Sequence, residues 1–171
     1  MKLLCIVDMQ RGFMTPETHR ILPKVINLVD YFYLQNDLVV FTKFHNTSDS
    51  PYCDFLGWRD LQYSSDQALL PEFEIYTQRV FVKYGYSIFT KAMSNHIEAQ
   101  KVSEIYLAGL DTDACIYESA LQAFDRHIQP IVIQDACMSS AGAAHHAAAL
   151  TLLKRQIGEH NIRSTLDVMT E

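Results

Sequence analysis

Three residues of this chain could together cleave a bond. Cys115 follows the apolar run Ile105-Tyr106-Leu107-Ala108-Gly109 and lies at the end of Leu110-Asp111-Thr112-Asp113-Ala114, which reads as a tight turn leading into a helix. Asp8 closes Leu3-Leu4-Cys5-Ile6-Val7, and Lys83 closes Val80-Phe81-Val82. A thiol attacks as its thiolate, only a few per cent of the population at neutral pH when its pKa is near 8.5. Backbone N–H groups at a helix start and a neighbouring ammonium favour the anion, so a low-pKa thiolate is expected at Cys115. Asp8 would be the base, kept ionised by Lys83. Taken singly, each residue has a plainer reading: a solvated strand end, a snorkelling surface lysine, a packed core thiol. The acid, the ammonium and the thiol become a site only if three distant strand ends converge.

The chain between them is built to allow that. Short runs rich in Val, Ile, Leu, Phe or Tyr predict strands near 2–8, 38–44, 79–83, 104–109, 130–135 and 161–165. Leu22, Val25, Ile26, Val29, Phe32 and Tyr33 recur at helical spacing behind Pro23, which suits a first helical turn. A second helix is expected from about Asp113 with Ile116, Ala120, Leu121 and Phe124 inward. A third is expected from about Ala141 to Ile157, capped by Ser139 or Ser140 and stopped by Gly158. Alternating strands and helices imply an α/β domain with a mainly parallel six-stranded sheet, in which ligands collect outside the carboxyl ends of the strands. Residues 46–78 break the alternation; their mixed aromatic and polar content, with weak helical signal from Ser65 to Leu70, suits either a cover for the sheet or a wall of the site.

A length of 171 residues fits a single domain spanning 1–171, and the formal charge of −6 without a basic cluster argues against nucleic acid as a partner. The first apolar run stops at Asp8, too short for a membrane span or secretory segment, so no membrane partner and a cytoplasmic location are expected. Cys5, Cys53, Cys115 and Cys137 show no paired spacing and are expected to be reduced.

The segments Val7-Asp8-Met9-Gln10, Val82-Lys83-Tyr84-Gly85-Tyr86-Ser87-Ile88-Phe89 and Gly109-Leu110-Asp111-Thr112-Asp113-Ala114-Cys115-Ile116 resemble, in the same order, the isochorismatase-like cysteine hydrolases, which include nicotinamidases and N-carbamoylsarcosine amidohydrolases. The resemblance extends to Asp135-Ala136 and the helix bearing His145 and His146, both of which are expected to be structural. It implies a Rossmann-like three-layer sandwich and a catalytic triad of Asp8, Lys83 and Cys115. It also implies an oxyanion hole from the backbone N–H groups of Asp111 and Cys115, a cis peptide between Leu110 and Asp111, and assembly as a homo-oligomer. In the amide-cleaving members the route is a thioester acyl-enzyme on a small-molecule substrate. The Asp111 side chain, close to where an oxyanion would form, is expected to point away or to meet a cationic substrate group. Gln10, Phe13, His45 and Tyr86 are the candidates for lining a substrate pocket.

Nicotinamidases carry a metal-binding Asp-x-His near the second strand, whereas Lys43 stands here at the Asp position before His45, so neither metal nor cofactor is expected. His45 with Cys53 and Asp54 falls short of a four-ligand zinc set. The turn Asp8-Met9-Gln10-Arg11-Gly12-Phe13 lacks a glycine-rich phosphate loop, which disfavours a nucleotide-binding module. Two rivals to an amide or ureide hydrolase remain: an isochorismatase-type vinyl ether hydrolase that does not need the thiol, and a non-catalytic or redox-sensing member of the fold using Cys115 with Cys137.

Overall fold

The computed structural model describes residues 1–76 and 79–170. Six strands, β1 (Lys2–Val7), β2 (Leu38–Phe44), β3 (Val80–Lys83), β4 (Glu104–Gly109), β5 (Gln129–Cys137) and β6 (Ile162–Arg163), form one sheet in the order β3-β2-β1-β4-β5-β6. Every ladder is parallel. The chain builds outward from β1 in one direction and then from β4 in the other, so the order reverses between β1 and β4 and leaves a crevice at their carboxyl ends. Asp8 and the turn leading to Cys115 sit on the two sides of that crevice.

Strand alternation sends the buried side chains to both faces. Leu4 and Ile6 of β1 join Phe41, Tyr106 and Ile133 beneath the helix α2 (Leu22–Leu34), which follows the single turn α1 (Pro16–His19) and whose Val25, Leu28, Val29 and Phe32 are buried. Leu3, Cys5 and Val7 face the opposite layer, where the helices α5 (Lys91–Ala99), α6 (Tyr117–Asp125) and α7 (Ala143–Ile157) contribute Met93, Ile97, Ala120, Ala123 and Leu153. The result is a three-layer α/β/α sandwich, and at roughly 0.8 kcal/mol per buried methylene these two apolar layers dominate its stabilisation. No helix among the described residues is long and apolar enough to cross a membrane.

Several sequence expectations need correction. Helix α5 has no counterpart among them, because Met93 and Ile97 are its only buried apolar residues and the rest of Lys91–Ala99 is polar or small. Along α6 and the turn just before it the inward row is Ile116, Ala120 and Ala123, while Phe124 is half exposed. Neither Ser139 nor Ser140 caps α7, which starts after Gly142; Ser139 accepts from the Ala141 N–H instead. The last strand is only two residues long, because Ser164 and Asp167 form a capping box that starts the terminal helix Thr165–Met169. Tyr33, read as core, is partly exposed and donates its hydroxyl to the Tyr76 carbonyl.

The segment 46–78, whose last two residues lie outside those described, holds two short helices, α3 (Pro51–Leu56) and α4 (Ser64–Gln67), and serves both of its expected roles. Phe73 is fully buried against Phe41, with ring centroids 5.4 Å apart, so this part covers the sheet. Tyr52 and Trp58 lie at the carboxyl edge and wall the cavity described next.

Candidate active site

The site begins with backbone geometry that the strand ends impose. Gly109, the last residue of β4, has φ +115°, and a Cβ there would fall 2.2 Å from the Val7 carbonyl oxygen. Only glycine lets β1 and β4 approach this closely at the reversal point. Asp8 follows Val7 with φ +51°, which turns its side chain in beneath β2, and the peptide between Leu110 and Asp111 is cis.

Lys83 joins the three strand ends. Its Nζ lies 2.6 Å from Asp8 Oδ2 and 3.1 Å from Cys115 Sγ, and it donates to the carbonyls of Gly85 and Tyr86 at 2.9 and 3.3 Å. Asp8 and Lys83 are 0% and 1% exposed and Cys115 is 6% exposed, which overturns the plainer readings of Asp8 as solvated and Lys83 as snorkelling. The other Asp8 oxygen, Oδ1, accepts from the Thr42 hydroxyl at 2.7 Å, whereas Oδ2 takes the ionic contact without a regularly angled hydrogen bond and so keeps a lone pair for a proton. One face of the Phe44 ring covers the ammonium at 5.1 Å.

The electrostatics differ from the low-pKa thiolate expected from the sequence. Burial, and then the Asp8 carboxylate, push the Cys115 thiol well above its ordinary value, and the Lys83 ammonium offsets only part of this. Burial thus favours the protonated thiol at rest, beside the Asp8–Lys83 ion pair. Burial by itself would lower the Lys83 pKa, but Asp8 and Cys115 outweigh it and keep the ammonium above its ordinary range.

The turn that delivers Cys115 is a single π-helical turn, Thr112–Ile116, ahead of α6. The Asp111 carbonyl accepts from the N–H groups of Ala114 and Ile116, on either side of Cys115. The Asp111 carboxylate turns to Ser140, taking its backbone N–H at 2.7 Å and its hydroxyl at 2.6 Å. Burial nonetheless raises the Asp111 pKa, against the lowering effect of Ser140.

A cavity of about 330 Å³ opens above the thiol. Of the four pocket candidates, Phe13 and Tyr86 line it, but Gln10 and His45 do not. Gln10 is fully buried and works as a clamp: its amide donates to the carbonyls of Phe44 and Gln67 and accepts from the Phe44 N–H, tying the end of β2 to the 46–78 segment. His45 continues past β2 and stacks on Tyr84 at 5.5 Å. Of the two helix histidines, His146 bonds Thr112 Oγ1 at 2.8 Å across 34 positions of chain, tying α7 to the turn ahead of Cys115, whereas His145 meets only the Ala141 carbonyl four residues back. Sequence reasoning missed Thr42, Phe44 and Ser140 as site residues, whereas Trp58 and Asp60 belong to the 46–78 segment expected as a possible wall of the site. Thr42 alone left a signal, as the one hydroxyl in the apolar stretch Leu38-Val39-Val40-Phe41-Thr42.

The donors of a nicotinamidase-type metal site do not fit here. Lys43 offers an ammonium where a carboxylate ligand would stand, His45 is stacked on Tyr84, and among the described residues no three His, Cys, Asp or Glu side chains converge as a ligand set.

A parallel sheet whose strand order reverses above a buried acid, lysine and thiol, with a small aromatic cavity over the sulfur, defines a doubly wound α/β fold with a candidate site at its switch point. The family model of the isochorismatase domain matches residues 2–164, and the chain belongs to that family of hydrolases. Among solved structures it is similar to nicotinamidase from Bacillus subtilis, at 23% identity over 92% of this chain and 96% of that one, with a TM-score of 0.81. N-carbamoylsarcosine amidase from Thermoplasma acidophilum matches at 22% identity over 92% of both chains, TM-score 0.81. An isochorismatase-like hydrolase from Alkaliphilus metalliredigens matches at 15% identity over 99% and 97%, TM-score 0.83. No curated protein matches the sequence.

Proposed function

We propose that this chain is a cysteine-dependent hydrolase of a small amide or ureide, cleaving a C–N bond through a thioester on Cys115. The observation that carries the reading is the contact of one buried ammonium, Lys83 Nζ, with both Asp8 Oδ2 and Cys115 Sγ, beneath the cavity that Cys115 lines. Because the thiol rests protonated, attack requires a base, and Asp8 is that base. As Cys115 Sγ bonds to the substrate carbonyl carbon, its proton passes to Asp8, and Lys83 stabilises the negative charge as it moves between sulfur and carboxylate.

The carbonyl oxygen gains the charge of the tetrahedral intermediate, and the backbone N–H groups of Asp111 and Cys115 are its donors, each worth about 3–4 kcal/mol on the barrier. Collapse breaks the C–N bond; the leaving nitrogen takes the proton held by Asp8 and departs as ammonia or an amine. Water then enters, gives a proton to Asp8, and attacks the thioester carbonyl, releasing the acid and returning the thiol. The names of the two amidases among the similar structures agree with this chemistry.

Intact-mass analysis during turnover of a panel of small amides and ureides tests the reading: it should show an acyl adduct that maps to Cys115 and is absent from Cys115→Ala. The family name also keeps a vinyl ether substrate in view. Turnover of isochorismate by Cys115→Ala, with no adduct in the wild type, would establish that second reading and overturn the first.

A further inference from the structure

The rings of the cavity are joined into a box. Trp58 stacks on Phe13 at 6.1 Å and meets Phe44 and Tyr52 at 5.9 Å each, and Tyr52 meets Tyr86 at 5.1 Å. The ionisable groups on the same wall, apart from tyrosine hydroxyls and the Cys115 thiol, are the carboxyls of Asp60 and Asp111; no lysine or arginine contributes to it. Arg11 and Arg59 neighbour wall residues in sequence but do not line the cavity. Among the described residues Asp60 has no ion-pair partner, and the Lys83 ammonium is already held beneath by Asp8.

Aromatic faces are negative at their centres and attract a cation placed within about 6 Å of the ring centroid. One face of Phe44 is already taken by the Lys83 ammonium, so the rings of Tyr52, Trp58 and Tyr86, with a carboxylate rim and no positive side chain on the wall, complement a compact organic cation and disfavour an anion. Such a cation would also relieve a conflict at the reacting atoms. Asp111 supplies a backbone N–H to the oxyanion but carries a carboxyl group on the same residue, and a positive charge held beside it weakens the repulsion between the two.

Resting on the reading of this cavity as the substrate site of an amide hydrolase, we infer that it takes amides carrying a small cationic group, a quaternary or protonated amine, next to the scissile carbonyl. Amides bearing a carboxylate at that position are excluded.

Three nearly isosteric amides test this: betaine amide, its uncharged analogue 3,3-dimethylbutanamide, and the anionic malonamate. Each is titrated into Cys115→Ala protein, which has no nucleophile to consume the ligand, and binding is followed through the fluorescence of Trp58, the only tryptophan of the chain. Betaine amide should bind at least about tenfold more tightly than the uncharged analogue, and malonamate more weakly than either. Asp60→Asn should cut the preference for the cation by roughly two- to fivefold, a modest effect because Asp60 is exposed and screened. Tetramethylammonium, which has no carbonyl, should quench Trp58 saturably in the wild-type protein, so the result does not depend on the variant. Equal or tighter binding of 3,3-dimethylbutanamide, or no saturable signal from betaine amide and tetramethylammonium, overturns the inference. These titrations read binding alone, so failure of Cys115 to form an acyl adduct remains a separate result that bears on the reaction.

Discussion

Replacing Lys83 by Met removes the charge that joins the site and keeps most of the side-chain volume, so little of the expected effect comes from packing. What remains is the Asp8 carboxylate, fully buried, with the Thr42 hydroxyl on Oδ1 and nothing to replace the ammonium 2.6 Å from Oδ2. Breaking a buried pair in this way costs about 3–5 kcal/mol, because a buried charge is left without its partner. With a urea m-value of about 2 kcal/mol per M, the denaturation midpoint should fall by about 2 M. The double variant Asp8→Asn/Lys83→Met removes the orphaned charge and should recover at least about half of the loss; because Asp8→Asn alone also leaves a buried charge unpaired, the coupling energy of the double-mutant cycle should exceed that recovery, at about 2 kcal/mol or more. Urea melts of the wild type, both single variants and the double variant, followed by Trp58 fluorescence and circular dichroism, measure all four corners. A loss below about 1 kcal/mol for Lys83→Met, or strict additivity in the double variant, would show that water screens the pair and would refute the buried-charge argument.

Alkaline pH should destabilise the fold through its thiols. Burial pushes Cys137 up from 9.0 to about 12, so between these values the unfolded chain loses a proton that the folded chain keeps. Stability is therefore complete below about pH 9 and falls above it by up to about 1.4 kcal/mol per pH unit for such a thiol, and Cys137→Ala should flatten the slope of a urea-midpoint series by that share. Gly109→Ala places a Cβ 2.2 Å from the Val7 carbonyl oxygen at φ +115°, and should cost about 3 kcal/mol or more in thermal or urea melts, with amide turnover lost as β1 and β4 separate. Gln10→Leu removes the clamp on the Phe44 backbone; a stability loss of about 2–3 kcal/mol and a raised KM are expected, whereas an unchanged KM would show that Phe44 is held by packing alone.

Much of the frame is legible along the chain because apolar periodicity is a local property. The strands near 2–8, 38–44 and 104–109 and the helix carrying Val25, Val29 and Phe32 follow from spacing alone, since each must bury that stripe. Helix α5 escaped because two buried residues make too short a stripe, and Phe124 was misplaced because a helix face cannot be told from sequence when small residues such as Ala123 supply the contact. Gln10 shows the same limit for a polar residue: its neighbours suggested the pocket, but its amide is consumed by backbone groups 34 and 57 positions away.

Asp8, Lys83 and Cys115 could be named from residue type and strand-end position, and the parallel sheet implied that they share an edge. Their protonation could not be named that way. A helix start and a nearby lysine argue for a thiolate, and the reversal comes from burial beside Asp8, a desolvation effect that exists only after β1, β3 and β4 are assembled. The aromatic box is tertiary for the same kind of reason. Phe13, Phe44, Tyr52, Trp58 and Tyr86 come from separate stretches of chain with no shared period, and they meet only because the 46–78 segment folds back over the carboxyl ends of β1 and β2. Local sequence thus supplied the chemical groups and the strands that carry them, while dielectric environment and cavity shape depend on contacts between distant residues and were decided by the fold.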